Sequence, residues 1–216
     1  YTAGTTTSAR DGVVITVTVA GAPGVQDVVN LTVARKELFI SLGTGNSIEE
    51  PNEAQYRIQF AIQVTDAGGN GVANTGLTVS LLSKNYFPPE TSASSWRTVV
   101  TAICPDEDLN RDGVLNPGED INGSGRIEAG NIATVTPRNV TTDANGFALV
   151  DVFYPQEHGE YLEVMLDART AVQGTEFVRQ STFSLPVSAQ DFQNIQNLPP
   201  GLVSPFGQAA VCTNPN

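Results

Sequence analysis

The sequence is poor in positive charge, and it has no long hydrophobic run. Eleven Lys and Arg residues stand against 23 Asp and Glu among 216 residues, which gives a net charge of −12 at pH 7. This charge repels phosphate backbones and anionic lipid surfaces, so we expect no nucleic-acid partner and no direct membrane insertion. No stretch approaches the roughly 18 consecutive apolar residues that a membrane span requires.

Histidine is nearly absent, which bears on catalysis. His158 is the only histidine, and the chain contains no GxSxG, HExxH or phosphate-loop pattern. No pair of nucleophile and base can be argued from these residues, and we expect a protein without enzymatic activity. We place His158, in the segment PQEHGE, in a solvated loop.

Alternation of apolar and polar residues dominates the chain and predicts half-buried β-strands. No comparable stretch has helical spacing, and Gly/Asn/Asp clusters at 66–71 and 143–146 predict turns. Many short strands with regular turns indicate an all-β protein built as a β-sandwich. The predicted strands are residues 13–20, 28–34, 37–42, 56–65, 77–82, 97–103, 132–136, 147–154, 161–168 and 177–187.

The strand pattern also predicts domain boundaries. Residues 35–187 contain enough strands to close a two-sheet sandwich, whereas 1–34 supply one hairpin with nothing to bury its apolar face. We interpret that hairpin as the end of a preceding domain, and the chain, which opens at Tyr1 without a signal segment, as part of a longer protein. Residues 188–216, called the C-terminal arm below, are irregular in composition. The arm's apolar residues predict that it packs on the sandwich: Phe192, Leu198, Val203, Phe206 and Val211.

The two cysteines, Cys104 and Cys212, lie 108 positions apart. A disulfide that ties the arm back to the sandwich is the economical interpretation. The alternative is a pair of buried reduced thiols in a cytosolic protein.

The most specific chemical signal is the segment 104–131, CPDEDLNRDGVLNPGEDINGSGRIEAGN, called the insert below. Its first part matches the twelve-residue calcium loop, in which oxygen side chains alternate, a Gly makes the sharp turn, a backbone carbonyl follows and a carboxylate closes the loop. Pro117 and Gly118 discourage a flanking helix, so we expect a helix-free loop. The first predicted ligands are Asp108, Asn110, Asp112, the carbonyl of Val114, and Glu119.

A looser copy of this loop begins twelve residues later, with Asn131 at the position of the closing Glu. Because it carries fewer charges, we expect weaker binding there, and two Ca²⁺ ions in all. The predicted ligands of this second loop are Asp120, Asn122, Ser124, the carbonyl of Arg126, and Glu128.

The charge of the insert favours this interpretation. Residues 106–130 hold seven acidic and two basic side chains, and these five net negative charges repel one another without cations. The alternative is a solvated acidic loop with local side-chain turns and no metal.

Other conspicuous residues have structural interpretations. Asp66 and Asp143 precede Gly/Asn turns and are expected to cap them by hydrogen bonds to the backbone. Trp96 is expected to be a core residue, although Trp96 or Tyr86 could stack on a sugar. Asn30, Asn122 and Asn139 lie in N-x-S/T triplets, which matter only in a eukaryotic secretory setting.

Three segments carry a resemblance to a known family. They are ARKELFISLGTGN at 34–46, QVTDAGGNGVANTGLTVSL at 63–81 and VTTDANGFALVDVFYP at 140–155. Over residues 35–187 the chain resembles bacterial immunoglobulin-like domains of the invasin/intimin type, in which V-T-D and T-D-x-x-G turns recur. The resemblance implies an immunoglobulin-like β-sandwich, tandem repeats and display on a bacterial surface. The insert and the Cys-containing arm depart from the family pattern, so no receptor-binding surface can be transferred.

Two functions follow as expectations. The first is a calcium-stabilised structural or adhesion module of a bacterial cell-surface or secreted protein, with neighbouring immunoglobulin-like repeats and a host or cell-surface ligand as partners. The second is a carbohydrate-binding module or an accessory domain of a secreted hydrolase.

Overall fold

A computed structural model describes residues 11–31, 37–90, 99–100, 102–172, 175–191, 204–207 and 211–214. In this part of the chain the regular structure consists of β-strands and one 3₁₀ turn, Gln156–His158. No helix among these residues is long and apolar enough to cross a membrane. The strands, in chain order, are β1 Val13–Val19, β2 Ala22–Leu31, β3 Leu38–Asn52, β4 Gln55–Asp66, β5 Gly76–Tyr86, β6 Pro89–Glu90, β7 Val99–Val100, β8 Cys104–Pro105, β9 Thr134–Thr136, β10 Asn139–Thr141, β11 Phe147–Pro155, β12 Leu162–Val172 and β13 Thr175–Ser184.

Two antiparallel sheets form an immunoglobulin-like β-sandwich, as the sequence predicts. One sheet has the order β3-β4-β11-β9, and the other has the order β10-β5-β12-β13 with β8 paired to β5. Alternate residues of the central strands point into the shared core: β4 buries Phe60, Ile62 and Val64, each 3% exposed or less. The Phe60 ring lies 5.0 Å from that of Phe183 on β13, so side chains of the two sheets meet in the core.

A β1–β2 hairpin is formed as expected, with Ile15 opposite Val29 and Val13 opposite Leu31. Its second strand begins at Ala22 and not at the predicted residue 28. Its side chains lie outside the core of the sandwich, and Val17 and Val29 are 64% and 49% exposed. Whether this hairpin completes a preceding repeat stays a prediction, as do the domain boundaries.

Several strands differ from the prediction. β3 continues to Asn52, past the predicted end at residue 42, because a bulge between Thr44 and Ile48 lets the Gly-rich segment stay paired with β4. In the predicted strand 97–103, β7 is the only strand among the described residues, and 102–103 are irregular. The predicted strands do not include β6, β8 and β10, because two or three residues are too few to show an alternating pattern.

Cys104 and Cys212 form the expected disulfide, with their Cα atoms 5.3 Å apart. Closing a loop of this size restricts the unfolded chain, which in the loop-entropy picture stabilises the fold by roughly 4–5 kcal/mol. Phe206 of the C-terminal arm is buried, as predicted, whereas Val211 is 52% exposed, so its predicted packing is wrong. Phe192, Leu198, Val203 and Trp96 lie outside the described residues.

The expectation of a solvated His158 is wrong. His158 is 8% exposed, because the arm covers the 3₁₀ turn: the Phe206 ring lies edge-on to the imidazole at 5.5 Å. Its Nδ1 is buried without a hydrogen-bond partner among the described residues. Desolvation lowers the pKa of His158 below its usual 6.5, and Glu157, at 3.7 Å from Nδ1, offsets part of this effect.

This burial predicts a pH dependence of stability. Since the folded state prefers neutral His158, the unfolded chain binds more protons below pH 6.5, and folding stability falls as the pH falls through the window beneath that value. The slope from this one group is at most about 1.4 kcal/mol per pH unit. Urea unfolding between about pH 5 and 8 measures the slope, and H158Q should lose this part of it. Identical pH dependence in both proteins would contradict the interpretation.

Candidate metal centre

The candidate site is the part of the insert that lies between β8 and β9, where the described chain makes turns and bends but no helix. It is anchored on the sandwich at both ends. Cys104 opposes Tyr86 in the β5–β8 pairing, and β9 pairs with the central strand β11. Buried Ala129 and Ala133, at the C-terminal end of the insert and just beyond it, belong to the sandwich core.

The two predicted loops share two local hydrogen bonds. In the first loop the Asp108 carboxylate accepts the N–H of Gly113, and in the second the Asp120 carboxylate accepts the N–H of Gly125, both at 3.0 Å. The third ligand position of each loop also matches: Asn110 accepts the N–H of Asp112 at 3.0 Å, and Asn122 accepts the N–H of Ser124 at 2.8 Å. The tandem repeat seen in the sequence is therefore a structural repeat.

A glycine occupies the sixth position of each loop because the backbone there is left-handed. Gly113 and Gly125 have φ values of 73° and 76°, in the left-handed region that costs other residues roughly 1–2 kcal/mol. This turn directs the backbone N–H of the glycine at the carboxylate that begins the loop.

The acidic residues near the ends of the loops differ between the copies. Glu119 closes the first loop by accepting the N–H groups of Asn116, at 2.8 Å, and Asn110, at 3.4 Å. Glu128 stands three residues before the closing position of the second loop, and it accepts hydrogen bonds from Asn122 and Ser124. Asn131, at the closing position itself, is exposed.

The two predicted carbonyl ligands take part in bonds within their own loops. The carbonyl of Val114 accepts the Asn116 amide at 2.8 Å, and that of Arg126 accepts the Ser124 hydroxyl at 3.3 Å. Each carbonyl oxygen has two lone pairs, so one further partner is compatible with these bonds.

Sequence reasoning missed Glu107, which organises the second loop. Its side chain is fully buried, and its carboxylate accepts three backbone N–H groups: Ile121 at 3.1 Å, Asn122 at 3.3 Å and Glu128 at 3.1 Å. Because Glu107 precedes the first position of the calcium pattern, the motif contains no signal for it.

Negative charge is concentrated and buried in the insert. Among the ion pairs of the described residues, one involves an acidic residue of the insert: Arg126 lies 3.2 Å from Glu128, and the Arg126 side chain is 72% exposed. One further carboxylate oxygen, Oδ1 of Asp120, is buried without a hydrogen-bond partner in the described part of the chain. The buried carboxylates are those of Glu107, Asp108, Glu119 and Glu128, each 5% exposed or less.

The pKa shifts report the same environment. Desolvation raises the pKa of Asp106 and of Glu107, although backbone hydrogen bonds oppose both shifts. Asp112 is exposed, and hydrogen bonds from the Val114 N–H and the Asn116 amide lower its pKa. Burial, together with the negative charges of Glu107 and Glu128, raises the pKa of Tyr86 to about 12.

No group of three or more His, Cys, Asp or Glu side chains is arranged to hold one metal ion among the described residues. The carboxylates instead bond to nearby backbone N–H groups. An ionised carboxylate has about four acceptor positions, and Asp108 uses two of them, one for the N–H of Asp112 and one for that of Gly113. The hydrogen bonds are compatible with metal ligation, and the ligand set stays a prediction.

The structure also tests the predicted turn caps and the predicted sugar-stacking residue Tyr86. Asp66 accepts the N–H groups of Gly68 and Asn70, and Asp143 accepts those of Asn145 and Phe147, so both caps are confirmed. Tyr86 is 2% exposed and presents no face on which a sugar could stack.

Comparison with known proteins does not identify a family for this chain. No protein-family model and no curated protein sequence matches the chain. Among solved structures, the GAE domain of GGA2p from Saccharomyces cerevisiae aligns with 71% of this chain and 98% of its own, at 10% identity and a TM-score of 0.28. A likeness at this level carries no argument about function.

The loop geometry predicts that alanine at either of the two positive-φ glycines lowers the stability of the fold. G113A and G125A should each lower the unfolding free energy by roughly 1–2 kcal/mol, because the added Cβ strains a left-handed backbone. Denaturant unfolding measures the change. The control is G43A, because Gly43 has open space where a Cβ would lie and its φ is not positive. Equal stability of G113A and G43A would contradict the left-handed turn.

Proposed function

We propose that this chain is a calcium-stabilised structural and adhesion module of a bacterial cell-surface or secreted protein. The observation that supports the proposal most is the set of buried carboxylates in the tandem loops, which have a single exposed arginine as their ion-pair partner among the described residues. Burying ionised groups without compensation is costly, and a divalent cation supplies that compensation.

The chemistry of the donors favours calcium over other metals. Ca²⁺ takes six to eight oxygen ligands, and the loops offer carboxylate, amide, hydroxyl and carbonyl oxygens. The insert contains no histidine, and its one cysteine is in the disulfide, so the nitrogen and sulfur ligands typical of zinc are missing. The buried Oδ1 of Asp120, at the first position of the second loop, supports a second ion.

Calcium would act on this protein by linkage. An ion that binds the ordered loops and not the unfolded chain stabilises the fold by RT ln(1 + [Ca²⁺]/Kd). Extracellular calcium modules often have Kd values near 10⁻⁴ to 10⁻³ M, a range in which the loops would be ordered outside a cell.

A surface location is supported by separate observations. The Cys104–Cys212 disulfide is typical of a non-reducing environment. The resemblance of residues 35–187 to invasin/intimin-type domains favours a repeat of a large bacterial surface protein. In that arrangement neighbouring immunoglobulin-like repeats are the first partners, and a host or cell-surface ligand is the further one.

Calcium titration tests the proposal. The wild-type protein should bind calcium at micromolar to millimolar concentrations by isothermal titration calorimetry, and its thermal midpoint should rise with calcium and fall with a chelator. E119Q should weaken binding to the first loop at least about tenfold, since a closing carboxylate ligand is lost. The matched control is E53Q at an exposed position of the β3–β4 turn, which should bind as the wild type does.

Two results would refute calcium binding: no heat of binding in calorimetry at millimolar calcium, or a thermal midpoint of unfolding that neither calcium nor a chelator changes.

The exposed hairpin provides a test of the repeat organisation. If a preceding repeat covers the apolar face that contains Ile15, Val17 and Val29, the amides of 13–31 should exchange with deuterium more slowly in a chain extended at its N-terminus by the preceding gene segment. Residues 139–155 of the sandwich serve as the internal reference. Unchanged exchange of the hairpin would contradict its assignment to a preceding repeat.

A further inference from the structure

Tyr86 lies between the second loop and the C-terminal arm. It ends β5 and is 2% exposed, and the Asn122 side chain is close enough to its hydroxyl to oppose part of the rise in its pKa that burial causes. Asn122 is a predicted ligand of the second loop, and its backbone is held by the buried carboxylate of Glu107. The Tyr86 side chain therefore lies next to a segment of this loop whose backbone Glu107 holds.

The same tyrosine supports the arm. The ring of Phe206 lies 5.0 Å from that of Tyr86 and 5.5 Å from the imidazole of His158. Phe206 is 5% exposed, so its side chain is almost entirely buried. An aromatic pair of this kind stabilises the contact beyond the burial of apolar area.

A covalent connection joins the same two regions. Cys104 opposes Tyr86 in the β5–β8 pairing and is bonded to Cys212 of the arm. Two residues after Cys104, the N–H of Asp106 donates a hydrogen bond to the carbonyl of Lys84 at 3.0 Å. Glu107 follows directly in the sequence. The disulfide thus fixes the arm at the point where the insert begins.

We propose that calcium binding at the tandem loops and docking of the arm through Phe206 are coupled, with Tyr86 and the Cys104–Cys212 disulfide as the connection. This inference rests on the proposed calcium function. Ions that order Asn122 and its neighbours hold Tyr86 in the position that receives Phe206, and a docked Phe206 holds Tyr86 in the position that Asn122 requires. The coupling is reciprocal: each event favours the other by the same factor.

Calorimetric calcium titration of arm variants tests the coupling. F206A removes the ring while the disulfide remains, and it should raise the calcium Kd at least about fivefold, the lower end of the usual range for coupled sites. F206L keeps an apolar side chain in the pocket and should stay within about twofold of the wild type. The matched control is F147A, at a residue 41% exposed on β11, which should leave the Kd unchanged.

A second measurement uses the wild-type protein and does not depend on the folding of a variant. Calcium should slow the reduction of Cys104–Cys212 by a thiol reductant, relative to the same protein in excess chelator, by at least about fivefold. The rate is followed by trapping of the released thiols, and magnesium at equal ionic strength is the control for screening.

The outcomes separate the two claims. Calcium binding that F206A changes less than twofold, or a reduction rate that calcium does not change, would overturn the coupling and leave the calcium function intact. Absence of calcium binding by the wild type would overturn both. Weakened binding in F206A with protection of the disulfide in the wild type would support the coupling.

Discussion

The constraint on which the rest of this structure depends is the burial of carboxylates in the insert. Glu107, Asp108, Glu119 and Glu128 are almost inaccessible to solvent, yet the described residues provide them with one ion-pair partner on the surface. Backbone N–H groups compensate part of the cost, and each such bond also fixes the course of the loop. The acidic residues therefore shape the insert and, under the proposed function, a bound cation would compensate the rest of this cost.

The sandwich supplies the rigid support that such a segment needs. The insert begins beside the last residue of β5 and returns to the sheet at β9, so both of its ends are held by paired strands. The disulfide and Phe206 bring the C-terminal arm to the same place. The sandwich, the start of the insert and the arm therefore meet around Tyr86.

Much of the architecture could be predicted from the sequence, because the signals are local. Alternation with a period of two identified the central strands, and the calcium-loop pattern identified positions whose hydrogen bonds repeat in the structure. The failures concern residues whose environment depends on distant parts of the chain. His158 looks like a loop residue until Phe206 covers it, Glu107 lies just outside the motif, and β3 continues through a Gly-rich bulge only because β4 is there to pair with it.

The most direct test of this account is a crystal structure of the protein grown in saturating calcium. The account predicts an ion in the first loop, with six to eight oxygen ligands at about 2.3–2.6 Å, among them those of Asp108 and Glu119. It also predicts that the N–H of Gly113 still donates to Asp108. Well-ordered loops with no ion beside these carboxylates, at a calcium concentration in the tens of millimolar, would contradict it.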